Sequence, residues 1–176
     1  ALLMSNFQAN LHAHVHHISS LSSLIRLLNT KVYSSAKGEK FITFFIGRYN
    51  IKTKELQYVN AGHNPPFLIH EKVVYMLNEG STGLGMFEQL PFVNSGKVFI
   101  PENAQLHCYT DGVTDVENSK EDDYGMQRLR EFLTARTHMK DIKLLQEELV
   151  STLRAFKENR DFTDDITLLS FLFKSK

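Results

Sequence analysis

The apolar period of this chain changes twice, and those two changes restrict its fold more than any other feature. From Ala1 to about His17, the residues Leu3, Phe7, Leu11 and Val15 recur every four positions, the spacing of one apolar stripe on a helix. Ser19 and Ser20 interrupt the stripe and offer an N-cap to a second helix, on which Leu21, Leu24, Ile25, Leu28 and Val32 share one face. The two predict a helical hairpin. Past the polar break Ser34 to Lys40 the period is lost. Phe41 to Gly47 is dense in aromatic and β-branched residues and too short for a typical helix, so it predicts a buried strand. A turn between Arg48 and Glu55 leads to the strand Leu56 to Val59. Short runs follow at Phe67 to Ile69, Val73 to Leu77, Lys97 to Ile100 and Gln105 to Tyr109, separated by Gly, Pro, Asn and Ser clusters as in antiparallel meanders. The helical period returns from Tyr124 to about Ala135 and from Asp141 to Lys157, where Ile142, Leu145, Leu149, Leu153 and Phe156 align, before a last strand at Ile166 to Phe173. Helices at both ends with strands between them predict an α+β fold of antiparallel sheets covered by helices, in one domain over residues 1–176.

Composition narrows what such a domain does. With 20 basic and 20 acidic side chains the formal net charge is zero, so nothing draws the chain as a whole toward nucleic acid or an anionic membrane. No stretch approaches the roughly 20 apolar residues that cross a bilayer, and the first residues lack the basic region of a secretory signal. The single cysteine, Cys108, has no partner within the chain, which fits a reducing compartment and reads as a small core residue. A cytoplasmic location is the expectation. The chain also opens inside a helical pattern without an initiator methionine, which predicts an N-terminally truncated domain.

Chemistry is concentrated at two acidic sites. In Tyr109-Thr110-Asp111-Gly112-Val113-Thr114-Asp115 an apolar strand ends in Asp111, and Gly112 permits a sharp turn that leaves the carboxylate at the sheet end. In Thr163-Asp164-Asp165-Ile166-Thr167 two carboxylates begin the final strand, whose pleat sends them to opposite faces, so that only one joins a site shared with Asp111. Hard divalent cations take carboxylate oxygens and waters, and a two-metal cluster activates a water for attack on phosphorus. The plainer reading is that both motifs are turn residues at strand ends. His12, His14, His16 and His17 are crowded, yet no Glu stands between them in the zinc-protease pattern, and they read as a solvated polar face. His63 either contacts substrate or braces its turn, and the adjacent Asn64, Pro65 and Pro66 favour bracing. Arg26, Lys31, Lys37 and Lys40 form either a phosphate-attracting patch or an ordinary solvated face.

Several segments taken together carry more than any spacing. Tyr58-Val59-Asn60-Ala61-Gly62-His63-Asn64-Pro65-Pro66, Gly83-Leu84-Gly85-Met86, Tyr109 to Asp115, Tyr124-Gly125 and Asp164-Asp165-Ile166-Thr167-Leu168-Leu169 resemble, in order, the motifs of the PPM (type 2C) metal-dependent serine/threonine phosphatases, in their bacterial SpoIIE-like, sigma-factor-regulating branch. Ala1 to Met4, with Gln8 and Leu11, resembles the helix that follows the family's second metal-binding segment. The resemblance implies a layered αββα sandwich of antiparallel sheets flanked by helices, here lacking its first strands. It implies Asp111 and Asp164 as ligands of a two-metal Mn²⁺ or Mg²⁺ site, with Asp165 a further candidate, and Gly62, His63, Asn64 and Gly112 as structural motif residues. The family's earlier metal aspartates do not occur in this sequence, so the chain by itself is expected to be inactive and either to dimerise or to rearrange its first two helices. The implied activity is hydrolysis of phosphoserine or phosphothreonine on a small regulatory protein, such as an anti-sigma-factor antagonist, under an upstream sensor domain. The alternative is a non-catalytic phosphatase-like domain that binds a signalling partner.

Overall fold

A computed structural model describes residues 2–174, so Ala1, where the first helix was expected to start, lies outside the described residues. In chain order the elements are α1 (Leu2–His14), α2 (Leu21–Ala36), β1 (Phe44–Asn50), β2 (Glu55–Ala61), β3 (Phe67–His70), β4 (Val73–Met76), β5 (Gly80–Ser81), β6 (Gly96–Phe99), β7 (Gln105–Tyr109), α3 (Gly125–Ala135), α4 (Ile142–Lys157) and β8 (Leu168–Leu172). This is the expected α+β order. The elements divide into two compact units. One comprises the residues up to His63 together with Leu77–Phe99, and the other Asn64–Met76 together with the residues from Ile100 onward.

In the first unit the hairpin of helices forms as its signals direct. Ser20 caps α2, its Oγ accepting from the Ser23 N–H at 3.3 Å, and Lys37 closes the other end in a left-handed conformation with its N–H on the Tyr33 carbonyl. Leu21, Leu24, Ile25, Leu28 and Val32 are buried. From α1, Phe7 joins that core, meeting Phe44 edge-on at 5.0 Å, while Leu3, Leu11 and Val15 pack half-buried around it. β2 is the centre of the sheet. β1 runs antiparallel to it from Phe44 opposite Ala61 to Asn50 opposite Glu55. On the other edge lie β6, antiparallel, and β5, parallel over two residue pairs. The run Phe41 to Gly47 departs in part from the expected buried strand: Ile42 is buried and forms an isolated antiparallel bridge to Leu84, but the ladder with β2 starts at Phe44, Phe41 is exposed, and Phe44, Phe45 and Ile46 are half-buried. β1 is an edge strand paired on one side only, so its neighbours cover less of it. The hairpin turn is tighter than Arg48 to Glu55, because Asn50 Oδ1 accepts from the N–H groups of both Lys52 and Thr53. Asn29 is the buried polar tie of this unit. Its amide donates to the Phe87 and Glu88 carbonyls at 3.0 and 3.1 Å, and its Oδ1 accepts from the Gly85 N–H at 2.8 Å.

The second unit is a fully antiparallel sheet in the order β4-β3-β7-β8. α3 packs on β3 and β4, and α4 on β8. Leu145, Leu149 and Leu153 of α4 are completely buried with Leu129, Leu133, Phe67 and Tyr109, and each such leucine contributes about 1.5 to 3 kcal/mol. Cys108 is half-buried rather than a full core residue, and burial pushes its thiol up to about 11.

Inside the same sheet is a polar network that the periodicity does not show. Gln105 Nε2 donates to the Thr137 and Met139 carbonyls, which leaves its Oε1 as acceptor 3.1 Å from His107 Nε2. That ring nitrogen therefore carries the proton, and Nδ1 accepts from Ser170 Oγ at 2.9 Å. Both Gln105 and His107 are wholly buried, and desolvation of the charged form holds the imidazole down at about 4.

Two outcomes follow for stability. Asn29→Ala leaves the buried Gly85 N–H without its acceptor and removes the amide's bonds to two carbonyls, so it should cost about 1 to 3 kcal/mol in a denaturant titration, and an unchanged midpoint would contradict the account. For His107 the folded value lies below the unfolded 6.5. Its contribution is thus complete above pH 6.5 and is lost as pH falls from there to about 4, about 3 kcal/mol in all. Wild type should lose that much more than His107→Gln across the interval, and equal losses would refute a buried neutral imidazole.

Candidate functional site

The site begins where β7 stops. After Tyr109 the ladder ends, and Asp111–Val113 forms a single 3-10 turn in which the Asp111 carbonyl accepts from the N–H groups of Thr114 and Asp115, both at 2.8 Å. The Asp111 side chain is exposed, and its Oδ1 accepts from the Gly112 N–H at 3.0 Å. The reason for glycine at 112 differs from the expected one. Its φ is not left-handed, so no sharp-turn freedom is required. What excludes a side chain is space, since a Cβ would lie 2.4 Å from the Asp165 carbonyl oxygen and 3.4 Å from the Asp164 carbonyl carbon. The backbone of Asp164–Asp165 rests directly on Gly112.

The second acidic segment is a bend, which corrects the pleat argument for Asp164 and Asp165. β8 starts at Leu168 rather than Ile166, so neither aspartate belongs to a strand. Thr110 takes over where the ladder ends: its Oγ1 donates to the Asp165 carbonyl at 3.1 Å and accepts from the Thr167 N–H at 2.9 Å, while its own N–H donates to the Thr167 carbonyl. Asp164 Oδ1 accepts from the Asp165 N–H at 2.7 Å, and Thr163 Oγ1 donates to the Asp115 carbonyl at 3.2 Å. All four aspartates, 111, 115, 164 and 165, are exposed. Two segments 53 positions apart thus lie side by side, and Asp111 and Asp164 each keep Oδ2 clear of the local backbone bond that orients Oδ1. Such oxygens have the hardness that Mg²⁺ and Mn²⁺ select. Among the described residues no group of three or more His, Cys, Asp or Glu side chains gathers into a metal-ligating cluster.

The remaining candidates sort by their contacts. In the first unit Gly62 adopts a left-handed φ of +67°, and a Cβ there would meet the Gly83 nitrogen at 2.8 Å. The turn is braced chiefly by Asn60, a residue sequence reasoning passed over. Its Oδ1 accepts from the His63 N–H at 2.8 Å, and its amide donates to the His63 and Leu77 carbonyls. The His63 ring lies 3.3 Å from Thr43 Oγ1. In the other unit Asn64 is half-buried on the approach to β3. His12, His16 and His17 are exposed and His14 half-buried. Of the basic residues, Arg26 turns to the Leu90 carbonyl at 3.4 Å, Lys37 serves as the cap of α2, and Lys31 and Lys40 are exposed.

Comparison with known proteins places this geometry. Residues 1–174 match the family model described as Stage II sporulation protein E (SpoIIE). The chain is 33% identical over 134 residues to Protein IcfG of Synechocystis, covering 74% of this chain and 20% of that protein. It is 25% identical over 146 residues to the phosphoserine phosphatase RsbU of Bacillus subtilis, covering 81% of this chain and 43% of RsbU. The chain therefore spans less than half the length of either relative. Among solved structures, the SiaA PP2C domain of Pseudomonas aeruginosa superimposes with a TM-score of 0.83 at 17% identity, over 99% of this chain and 70% of that one, which shows a shared fold. No helix among the described residues is long and apolar enough to cross a membrane. With its motifs in order and a family match over residues 1–174, the chain belongs to the SpoIIE family.

Proposed function

We propose that the protein carrying this chain hydrolyses phosphoserine or phosphothreonine on a small phosphorylated regulator, such as an anti-sigma-factor antagonist, with Asp111 and Asp164 as metal-holding carboxylates and Asp165 as a further candidate. The observation that supports this most is the seating of the Asp164–Asp165 backbone on Gly112, in a chain of this family. An upstream sensor domain that sets the activity belongs to the same proposal.

The chain's own residues have three tasks. Gly112 N–H and Asp165 N–H each hold one carboxylate oxygen, so that Asp111 and Asp164 point their second oxygens outward without losing rotamer freedom at the moment of binding. Thr110 keeps the two segments at one separation through its paired bonds to Asp165 and Thr167. The exposure of both carboxylates leaves room for a phosphorylated side chain on a protein surface. Bound Mn²⁺ or Mg²⁺ supplies Lewis acidity and a water of lowered pKa.

In the whole protein, Asp111→Asn should abolish phosphate release from a phosphoserine peptide at saturating Mn²⁺ while leaving circular dichroism unchanged, because it alters an exposed oxygen and no core contact. Undiminished turnover at saturating Mn²⁺ would count against Asp111 as a metal-holding carboxylate, whereas a wild-type protein that binds the phosphoserine peptide without releasing phosphate would favour the reading of a non-catalytic interaction domain. Gly112→Ala should act differently, costing about 1 to 3 kcal/mol of stability as well as activity, since its methyl must displace the Asp165 carbonyl. An alanine variant with native melting and native turnover would show that the seam is not close-packed.

A further inference from the structure

The segment between α4 and β8 has no regular backbone pairing to fix it. α4 ends at Lys157, Glu158 takes a left-handed φ of 54°, and strand bonds resume only at Leu168. Side chains therefore do much of the holding, and one of them reaches the turn around Asn118. Arg160 Nη1 donates to the Asn118 carbonyl at 2.9 Å and lies 3.1 Å from Glu117 Oε2. The residue is itself held from behind, its N–H on the Lys157 carbonyl and its carbonyl accepting from Lys157 Nζ.

The platform it grips is well determined. Asn118 Oδ1 accepts from the N–H groups of Lys120 and Asp122, Asn118 N–H donates to the Asp122 carbonyl, and Glu117 bridges Asp123. Behind them Tyr124 and Gly125 donate to the Val116 and Thr114 carbonyls at 2.8 Å. That platform is continuous with the Asp111 turn, seven residues before Asn118, and Arg160 stands four residues before Asp164. The guanidinium thus joins the two acidic segments from outside, while Thr163 and Thr110 join them from within.

Magnitudes separate the possible roles. Arg160 and Glu117 are 38% and 36% exposed, and ion pairs so open to water contribute about 0 to 1 kcal/mol to folding. Thermodynamic stability is not what this contact supplies. Direction is, because one nitrogen meets a carboxylate and a main-chain carbonyl at once. Resting on the metal-site reading above, we propose that Arg160 is a positioning residue, which sets the Asp164 bend beside the Asp111 turn and so tunes metal affinity without touching metal or substrate.

The test uses the whole protein and Mn²⁺ binding by calorimetry, with melting in chelator as the second readout. Arg160→Gln should weaken Mn²⁺ binding about tenfold, the scale of outer-shell contacts, while melting shifts by less than about 4 °C. Arg160→Lys, which keeps the charge and a donor, should recover much of the affinity. If Arg160→Gln binds Mn²⁺ like wild type while Asp111→Asn loses it, the positioning role is wrong and the metal reading stands. If Asp111→Asn itself leaves Mn²⁺ affinity unchanged, the metal reading fails and this role with it. A large drop in melting temperature that Lys does not repair would mark Arg160 as a structural contact and overturn the proposal.

Discussion

The second unit depends on what happens one residue past the end of a strand. β7 and β8 pair from Gln105 opposite Leu172 to Tyr109 opposite Leu168, and there the ladder stops. Thr110 then continues the pairing with its side chain, donating to one backbone carbonyl and accepting from one backbone N–H of the incoming segment. A hydroxyl is the smallest group able to do both. Gly112 completes the seam by contributing nothing, since any side chain would occupy the place of the Asp165 carbonyl. Both features hold the Asp164 bend directly against the Asp111 turn.

The same pair of strands is fixed in register from inside. His107 and Ser170 are direct partners across the ladder and are also bonded through their side chains. A slip of one residue would turn Ser170 to the opposite, exposed face of the sheet and leave the buried His107 Nδ1 without its donor, a cost that an all-apolar interior would not impose. Register and acidic seam are therefore linked, because Leu168 opposite Tyr109 determines which residue meets Thr110. The neutrality of His107 has a purpose in this arrangement. One tautomer satisfies every partner, whereas the charged ring would have to be desolvated among them.

Much of this was legible in the chain. The helices announced themselves through period and cap, so Ser20, the α2 stripe and the α4 leucines fell where they were expected. β7 was read to the residue because a β-rich run ended in a turn signal. Other features left no local trace. β5 is two residues long, and the half-burial of β1 follows from its edge position, which pairing decides and composition does not. The polar residues Asn29, Asn60, Gln105 and His107 look like surface residues in a window of sequence, and become interior ones only once their backbone partners arrive from elsewhere. The acidic motifs were recognised, but for partly wrong reasons. Asp164 and Asp165 were assigned to a strand because Ile166 and its successors are β-formers, whereas the bend is imposed by Asp164 accepting from its neighbour's N–H and by Thr163 reaching Asp115. Glycine at 112 was credited with conformational freedom when close approach across 53 positions is what demands it.

That division of labour has a consequence for how the domain is held together. The core of the second unit is made of leucines and aromatics whose burial supplies most of its folding free energy. The acidic seam lies outside every strand and α-helix, its four carboxylates exposed, and is tied by a few hydrogen bonds from Thr110, Thr163 and Arg160 and by the small turn around Asn118. Each tie is worth about 1 kcal/mol or less against water, too little to stabilise a fold yet enough, acting together, to confine a loop. Segments of that kind open locally at far lower cost than the core. Precision at the carboxylates is thus controlled separately from stability, and substitutions along the seam can change what the site binds while the sheet and helices beneath it stay as they are.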